Sequence, residues 1–173
     1  MPLFLDACAL AKRYLPEYGS KRMLDILDRG DGWGGFVVSG FIEPEVISAL
    51  AKFAREHPKR PPDALQQHPR IVDQLRTELA RTAVTVVSVT DGLVKRAADL
   101  LHDHPEYAIH AGDAVHLATA LAFRTQLDEP DVLVFVTADR SLELAARAEG
   151  LATYNPLRDG IGALRTIAGP SRN

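Results

Sequence analysis

Asp6, Glu45, Asp113 and Asp139 are spread along a chain of 173 residues, and each stands where a solvated surface charge is a poor explanation. Carboxylates gathered without cysteine or histidine partners suit a hard divalent cation, Mg²⁺ or Mn²⁺, because such ions take oxygen ligands. An ion held this way acidifies water and neutralises a phosphate, which is the chemistry of phosphodiester hydrolysis. Asp6 closes the run Pro2-Leu3-Phe4-Leu5, short enough for a buried strand, and the helix-prone Ala7-Cys8-Ala9-Leu10-Ala11-Lys12 follows it. A carboxylate there lies at the carboxyl end of a strand, where open α/β sheets bind ligands.

Asp113 enters a helix whose next residues, Ala114 to Phe123, are apolar around nearly the whole circumference, so that helix is expected to be buried. The helix dipole returns only ~0.3–1 kcal/mol to a carboxylate in the first turn. Burying an unpaired charge costs several times more, so Asp113 needs a metal or a basic partner. Asp139 follows a strand and precedes a helix, where an ordinary N-cap is the competing role; for Asp6 the competing role is a turn residue. Periodicity does not choose between Glu43 and Glu45. With Ile42 as origin, Val46, Ala49, Leu50 and Phe53 form a stripe that the two glutamates flank on opposite sides. Pro44 favours a first helical turn, which makes Glu43 a possible cap and puts Glu45 inside the helix.

The elements that must position these groups alternate. A strand over 2–6 leads to a helix ending near Leu15-Pro16, and Ser20 is placed to cap a helix over Lys21 to Arg29 that Gly30 stops. Phe36-Val37-Val38 reads as a second strand, and Ser39 opens a helical stretch to about Arg55. His57 to Pro62 is a break, followed by a polar helix from Ala64 to Arg81. Those two helices are expected to form a protruding hairpin over about 41–81. Then come a strand over Val84 to Val89, a helix over 91–102, a loop near His104-Pro105, and the apolar helix from Ala111 to about Arg124. A strand over Asp131 to Thr137 and a helix over 140–149 capped by Gly150 complete the series. Such alternation calls for one α/β domain over 1–173, with a mostly parallel sheet covered on both faces.

Composition narrows the function. With 46% hydrophobic residues the chain can bury one good core, and its length does not call for two domains. Cys8 is the single cysteine, so neither an intrachain disulfide nor a cysteine zinc cage can form, and a cytoplasmic location is expected. No targeting segment is recognisable, and the longest later apolar run, Val132 to Val136, is far too short to span a membrane. A formal net charge of -3 argues against holding nucleic acid by overall positive field. Basic residues nonetheless cluster in Lys52, Arg55, Lys59, Arg60, Arg70, Arg76 and Arg81, a ridge that could hold phosphates or could be plain solvated surface.

Other motifs fail on context. Gly30-Asp31-Gly32-Trp33-Gly34-Gly35 spells G-x-G-x-x-G, but it follows a helix and precedes a strand, the reverse of the dinucleotide-binding arrangement. His102, His104, His110 and His116 include no helical pair at ligand spacing, so loop and packing roles are expected.

Four segments in order, Phe4 to Lys12, Pro44 to Leu50, Gly112 to Ala120 and Phe135 to Asp139, resemble the successive signatures of PIN-domain ribonucleases, especially the VapC-type toxins of toxin-antitoxin pairs. The resemblance runs from residue 3 to about 157, and the stretch from about Arg55 to Arg81 carries no signature. It selects Glu45 over Glu43, because the family's second acid stands directly before the Val-x-Ser-Ala-Leu pattern. It implies a three-layer α/β/α sandwich, with Mg²⁺ or Mn²⁺ held by the four acids. The implied activity is endonucleolytic cleavage of RNA that leaves a 5′-phosphate and a 3′-hydroxyl. A small antitoxin partner and a homodimer are expected with it. The alternatives are a stand-alone RNA-processing nuclease and a PIN-like module that binds RNA or protein without cutting. The sequence departs from the family at Cys8, where a serine or threonine is usual, and at His110, where many relatives carry arginine. Cys8 is the weaker hydrogen-bond donor, and a phosphate contact from His110 would depend on its protonation. Lys52, Arg55, Lys59, Arg60, Arg76 and His110 are the candidate RNA-binding residues.

Overall fold

The computed structural model describes residues 1–28, 33–56, 63–128 and 133–168. Five strands, β1 (Leu3–Leu5), β2 (Phe36–Ser39), β3 (Val84–Val87), β4 (Val134–Val136) and β5 (Ala152–Tyr154), form a single sheet in the order β3-β2-β1-β4-β5. Every pairing is parallel, and Leu3 stands level with Phe36 on one side and Val134 on the other.

Alternation of side chains along each strand divides the core in two. Leu3, Leu5, Phe36, Val38, Val134 and Val136 face one side. There they meet α1 (Ala7–Ala11), α2 (Ser20–Leu27), α3 (Ile42–Glu56), α4 (Asp63–Leu79) and α8 (Ile161–Ala168) through Leu10, Met23, Val46, Leu50, Leu75 and Leu164. Phe4, Val37 and Phe135 face the other side, against α5 (Asp91–Asp103), α6 (Ala111–Arg124) and α7 (Arg140–Ala148), with Leu100, Leu117 and Leu142 as the main contacts. The Phe4 and Phe135 rings stack at 5.4 Å between centroids. The result is the expected three-layer α/β/α sandwich, and burial of both faces is why the central strands read as continuous apolar runs.

Strand order fixes where a ligand can sit. From β1 the chain moves outward to β2 and β3, then returns to the far side of β1 for β4 and β5. The direction reverses between β1 and β4, and a crevice opens at the carboxyl ends of such neighbours. Asp6 is the first residue beyond β1, and Thr137 to Asp139 are the first beyond β4.

Several local expectations change. Ser20 does not cap α2: Gly19, at φ +90°, precedes the helix as its cap. The Ser20 hydroxyl instead donates to Leu15 O at 2.5 Å and accepts from Glu17 N at 3.0 Å, closing the tight turn before the helix. Ser39 ends β2 rather than opening α3, and its Oγ accepts from Phe41 N at 3.1 Å to turn the chain. Gly150 does terminate α7, at φ +75°. Gly150 N donates to Arg147 O and Leu151 N to Ala146 O, the paired bonds of a Schellman stop. Strand β5 and helix α8 have no counterpart in the sequence reading. Arg29, Gly30, Asp31 and Gly32, the break over 57–62 with Lys59 and Arg60, and Asp131 and Val132 lie outside the described residues. No helix among the described residues is long and apolar enough to cross a membrane.

Candidate active site

Asp6 caps α1, accepting from Ala9 N at 2.7 Å through Oδ1. Its other support comes from side chains. Thr137 Oγ1 donates to Oδ2 at 2.6 Å, and the Cys8 thiol lies 3.2 Å from Oδ1 and 3.0 Å from Oδ2. Cys8 therefore serves where the resemblance leads one to expect a hydroxyl, and Ala138 N donates to its sulfur at 3.1 Å. Asp6 is 1% exposed. Burial pushes its carboxyl up to about 6, against the bonds from Cys8, Thr137 and Ala9 and the field of His116, all of which favour the ion. Burial also pushes the Cys8 thiol up, reinforced by the Asp6 charge beside it, so at neutral pH Cys8 is a proton donor to Asp6 and no nucleophile.

The ambiguity between Glu43 and Glu45 resolves by partner. Glu43 Oε1 accepts from Arg76 Nε of α4 at 2.8 Å. Glu45 turns instead to the start of α6, where its Oε2 lies 2.6 Å from His116 Nε2 and its Oε1 rests against the Gly112 Cα, in the space a Cβ would occupy. His116 is 1% exposed, and its Nδ1 is buried without a hydrogen-bond partner. Nε2 therefore carries the proton that His116 donates to Glu45.

Asp113 sits in the first turn of α6 and accepts from His110 N at 2.9 Å. Its carboxyl is raised chiefly by burial, and Asp139 and Glu45 raise it further, so these three acids share one field. Asp139 caps α7, accepting from Leu142 N at 2.9 Å through Oδ1, while its own N–H donates to Thr137 Oγ1 at 3.0 Å. The N-cap role weighed against a functional one for Asp139 is thus real, and it leaves Oδ2 uncommitted in the described contacts. Thr137 couples Asp6 to the Asp139 backbone through one hydroxyl. His110 is exposed at the rim, its Nδ1 3.8 Å from Asp113 Oδ2.

The four sequence-selected acids thus stand at the carboxyl end of the sheet, two following the interior strands β1 and β4 and two in the first turns of α3 and α6. Three residues that support them escape sequence reasoning: Thr137, His116 and Gly112. Each acts across a long sequence separation. The available signals were weak, a threonine two residues before Asp139 and a histidine one helical turn after Asp113. Among the described residues, no three histidine, cysteine, aspartate or glutamate side chains already converge as a finished metal cage. The donor chemistry nonetheless fits a hard cation. It consists of carboxylate oxygens, two of whose carboxyls are raised by burial, one also by neighbouring carboxylates, and no Lys or Arg donates to Asp6, Asp113 or Asp139 in the described hydrogen bonds.

The proposed basic ridge is partly matched by its own carboxylates. Arg76 is paired with Glu43, and Lys52 Nζ lies 3.8 Å from Glu56. Arg55 closes α3 in its last turn.

A family model described as PIN domain matches residues 3–148. Among solved structures, the chain is similar to FitAB bound to an IR36 DNA fragment, at 17% identity and a TM-score of 0.60, over 91% of this chain and 96% of that one. It is similar to VapBC-1 from nontypeable Haemophilus influenzae at 15% identity and a TM-score of 0.57, over 91% and 100%. A toxin-antitoxin complex from Klebsiella pneumoniae aligns at 18% identity and a TM-score of 0.50, over 89% and 97%. No curated protein matches the sequence. At these identities the structural likeness speaks for the fold alone, the same parallel sheet between helical layers. The family match covers both halves of the site, from the strand before Asp6 to the helix after Asp139, and so the chain belongs to the PIN-domain family.

Proposed function

We propose that the chain is a divalent-metal-dependent endoribonuclease and the toxin of a type II toxin-antitoxin pair. The observation that carries this reading is Asp6. It is a buried carboxylate just past the carboxyl end of β1, beside β4, in a PIN-domain sheet, and the donors it accepts from, Ala9 N, the Cys8 thiol and the Thr137 hydroxyl, are all neutral. Neutral donors leave most of the cost of burying that charge unmet, and a cation at the site would meet it.

Asp6 and Asp113 would be the principal ligands, with Glu45 and Asp139 completing the site directly or through water. Mg²⁺ or Mn²⁺, when bound there, supplies a more acidic water and neutralises charge on the phosphate. Thr137 and Cys8 hold Asp6 ionised and oriented, and Ala9 N fixes its Oδ1. His116 and Gly112 set the position of the Glu45 carboxylate. His110, exposed beside Asp113, would contact a substrate phosphate when protonated. No histidine base is needed, and the products would be a 5′-phosphate and a 3′-hydroxyl.

The antitoxin follows from the site's charge. An acidic groove that must be silenced is blocked most simply by a basic side chain from a small partner protein placed among the carboxylates. Structural neighbours described as toxin-antitoxin complexes support this assignment, and a homodimer is proposed with it. Expression of the wild type alone should arrest growth of its host, Asp6→Asn should not, and co-expression of a small protein encoded directly upstream should restore growth. Equal, healthy growth of both strains would assign the chain to RNA processing or to binding without cleavage.

A further inference from the structure

On α3 and α4, Lys52 and Arg76 are paired with carboxylates, but the carboxyl ends of β4 and β5 show a different balance. Glu143 of α7 is completely buried, and three guanidiniums converge on it: Arg158 at 2.6 Å, Arg147 at 2.7 Å and Arg140 at 3.2 Å. Asn155 Nδ2 adds a bond at 3.1 Å. Burial raises the Glu143 carboxyl, but these donors prevail and hold it below the ordinary range, so it is ionised. One carboxylate neutralises one guanidinium, and the cluster keeps a positive surplus. The arginines are not buried with their anchor: Arg140, Arg147 and Arg158 are 56%, 49% and 42% exposed. Arg147 is further tied by its Nε to Thr153 Oγ1 at 2.7 Å, whereas Arg140 and Arg158 hold Glu143 through one terminal nitrogen and keep N–H donors for solvent, the geometry that suits phosphate.

This cluster adjoins the carboxylates. Thr137 N donates to Tyr154 O at 3.0 Å, which sets the loop after β5 beside the residue that bonds Asp6. Arg140 directly follows Asp139. From the other side, Arg22 of α2 donates to Pro156 O of the same loop at 2.8 Å, and its guanidinium lies 5.7 Å from the centre of the Tyr18 ring. Tyr18 is 71% exposed. Of the acids nearby, Asp159 is turned onto Asn155 N at 2.8 Å, and Asp25 of α2 acts on the buried Tyr154 hydroxyl in the opposite sense to Arg22. Guanidiniums interleaved with an exposed aromatic face are what a single-stranded nucleic acid needs, cations for its phosphates and a ring for its bases.

We propose that Arg140 and Arg158, anchored on Glu143, together with Arg22 and Tyr18, grip single-stranded RNA and lead it to Asp6 and Asp139. Arg140 and Arg158 take phosphates, and Tyr18 stacks on a base with Arg22 behind it. The choice of RNA as occupant rests on the ribonuclease reading, while the surface itself rests on the contacts above.

The test measures binding of a fluorescein-labelled single-stranded RNA to Asp6→Asn protein across a NaCl series. Arg140→Gln and Arg158→Gln each leave two guanidiniums on Glu143, and each should reduce the slope of log affinity against log salt by about 0.7. Arg158→Lys should restore the slope, because a point charge serves a phosphate. Tyr18→Ala should weaken binding about tenfold with little change in slope. Arg96→Gln, which removes the 3.0 Å bond to Glu149 at the opposite end of α7, should change neither. Thermal unfolding accompanies each variant, and Arg140→Gln, which loses the longest of the three contacts, carries the test if Arg158→Gln is destabilised. Unchanged slopes in folded Arg140→Gln and Arg158→Gln overturn the proposal. So does a face on which those arginines bind an acidic polypeptide and not RNA. Failure of the ribonuclease reading looks different: the wild type then cuts no RNA, whereas failure of this proposal alone leaves a cutting enzyme whose RNA affinity ignores these residues.

Discussion

Asp6→Asn should abolish RNA cleavage and, without metal, make the protein more stable than the wild type at pH 8. Burial pushes the folded-state carboxyl up to about 6, against an ordinary value of 3.8. The folded protein then holds the Asp6 proton more tightly than the unfolded chain does. Stability contributed by this group is present below the unfolded value and is lost as pH rises through the window from 3.8 to about 6. The span from 3.8 to about 6 corresponds to about 3 kcal/mol, or roughly 6–12 °C in Tm for a chain of this size. Asparagine has the same shape, keeps an acceptor for Ala9 N, and bears no charge to bury. Its advantage should therefore be large at pH 8 and vanish near pH 4. Divalent metal should raise the Tm of the wild type and leave that of Asp6→Asn unmoved. Thermal scans with chelator and with Mn²⁺ at the two pH values check this. A variant less stable than wild type at pH 8, or one that responds equally to metal, contradicts the reading of Asp6 as a strained ligand.

Gly112→Ala should cost one to two orders of magnitude in cleavage rate while leaving the fold sound, since losing a residue that orients a metal ligand costs ~10–100-fold. Gly112 lies in the first turn of α6, where alanine is the better helix former by about 1 kcal/mol. The three nearest atoms its new Cβ would meet all belong to the Glu45 carboxylate. That flexible terminus can move, so the clash is relieved by displacing Glu45 from His116 rather than by opening the helix. Activity and Tm should therefore separate, with activity falling and Tm steady or slightly higher. Full activity in Gly112→Ala would mean that the Glu45 position is immaterial to the chemistry, and Glu45→Gln, measured beside it, would then be expected to cut RNA as well.

What could be read from the sequence was what local pattern encodes. Leu3-Phe4-Leu5 and Val134-Phe135-Val136 announce buried strands, and a carboxylate just past each follows from the parallel-sheet rule. The all-apolar run after Asp113 announces its buried helix. Strand β5 was not legible because Ala152-Thr153-Tyr154 is too short to show a period and gains its place only by pairing with β4. Glu45 could not be told from Glu43 by helical geometry, since the distinction lies in Arg76 on α4 and His116 on α6, distant in sequence. Thr137 looks like the end of a strand until Asp6 is placed beside it. The burial of Glu143 could not be foreseen, because it depends on Asn155 and Arg158 of the loop after β5 as well as on Arg140 and Arg147 of its own helix. Long-range polar partnerships of this kind leave no periodic trace.

The decisive measurement is cleavage of single-stranded RNA by purified protein with Mg²⁺ or Mn²⁺ and with EDTA, followed in the wild type, Asp6→Asn and Asp113→Asn. Cutting by the wild type that requires the ion and stops on chelation, together with folded but inactive variants, is the expected result. Undiminished cleavage in EDTA, or by either folded variant, would contradict a metal-dependent nuclease built on these acids.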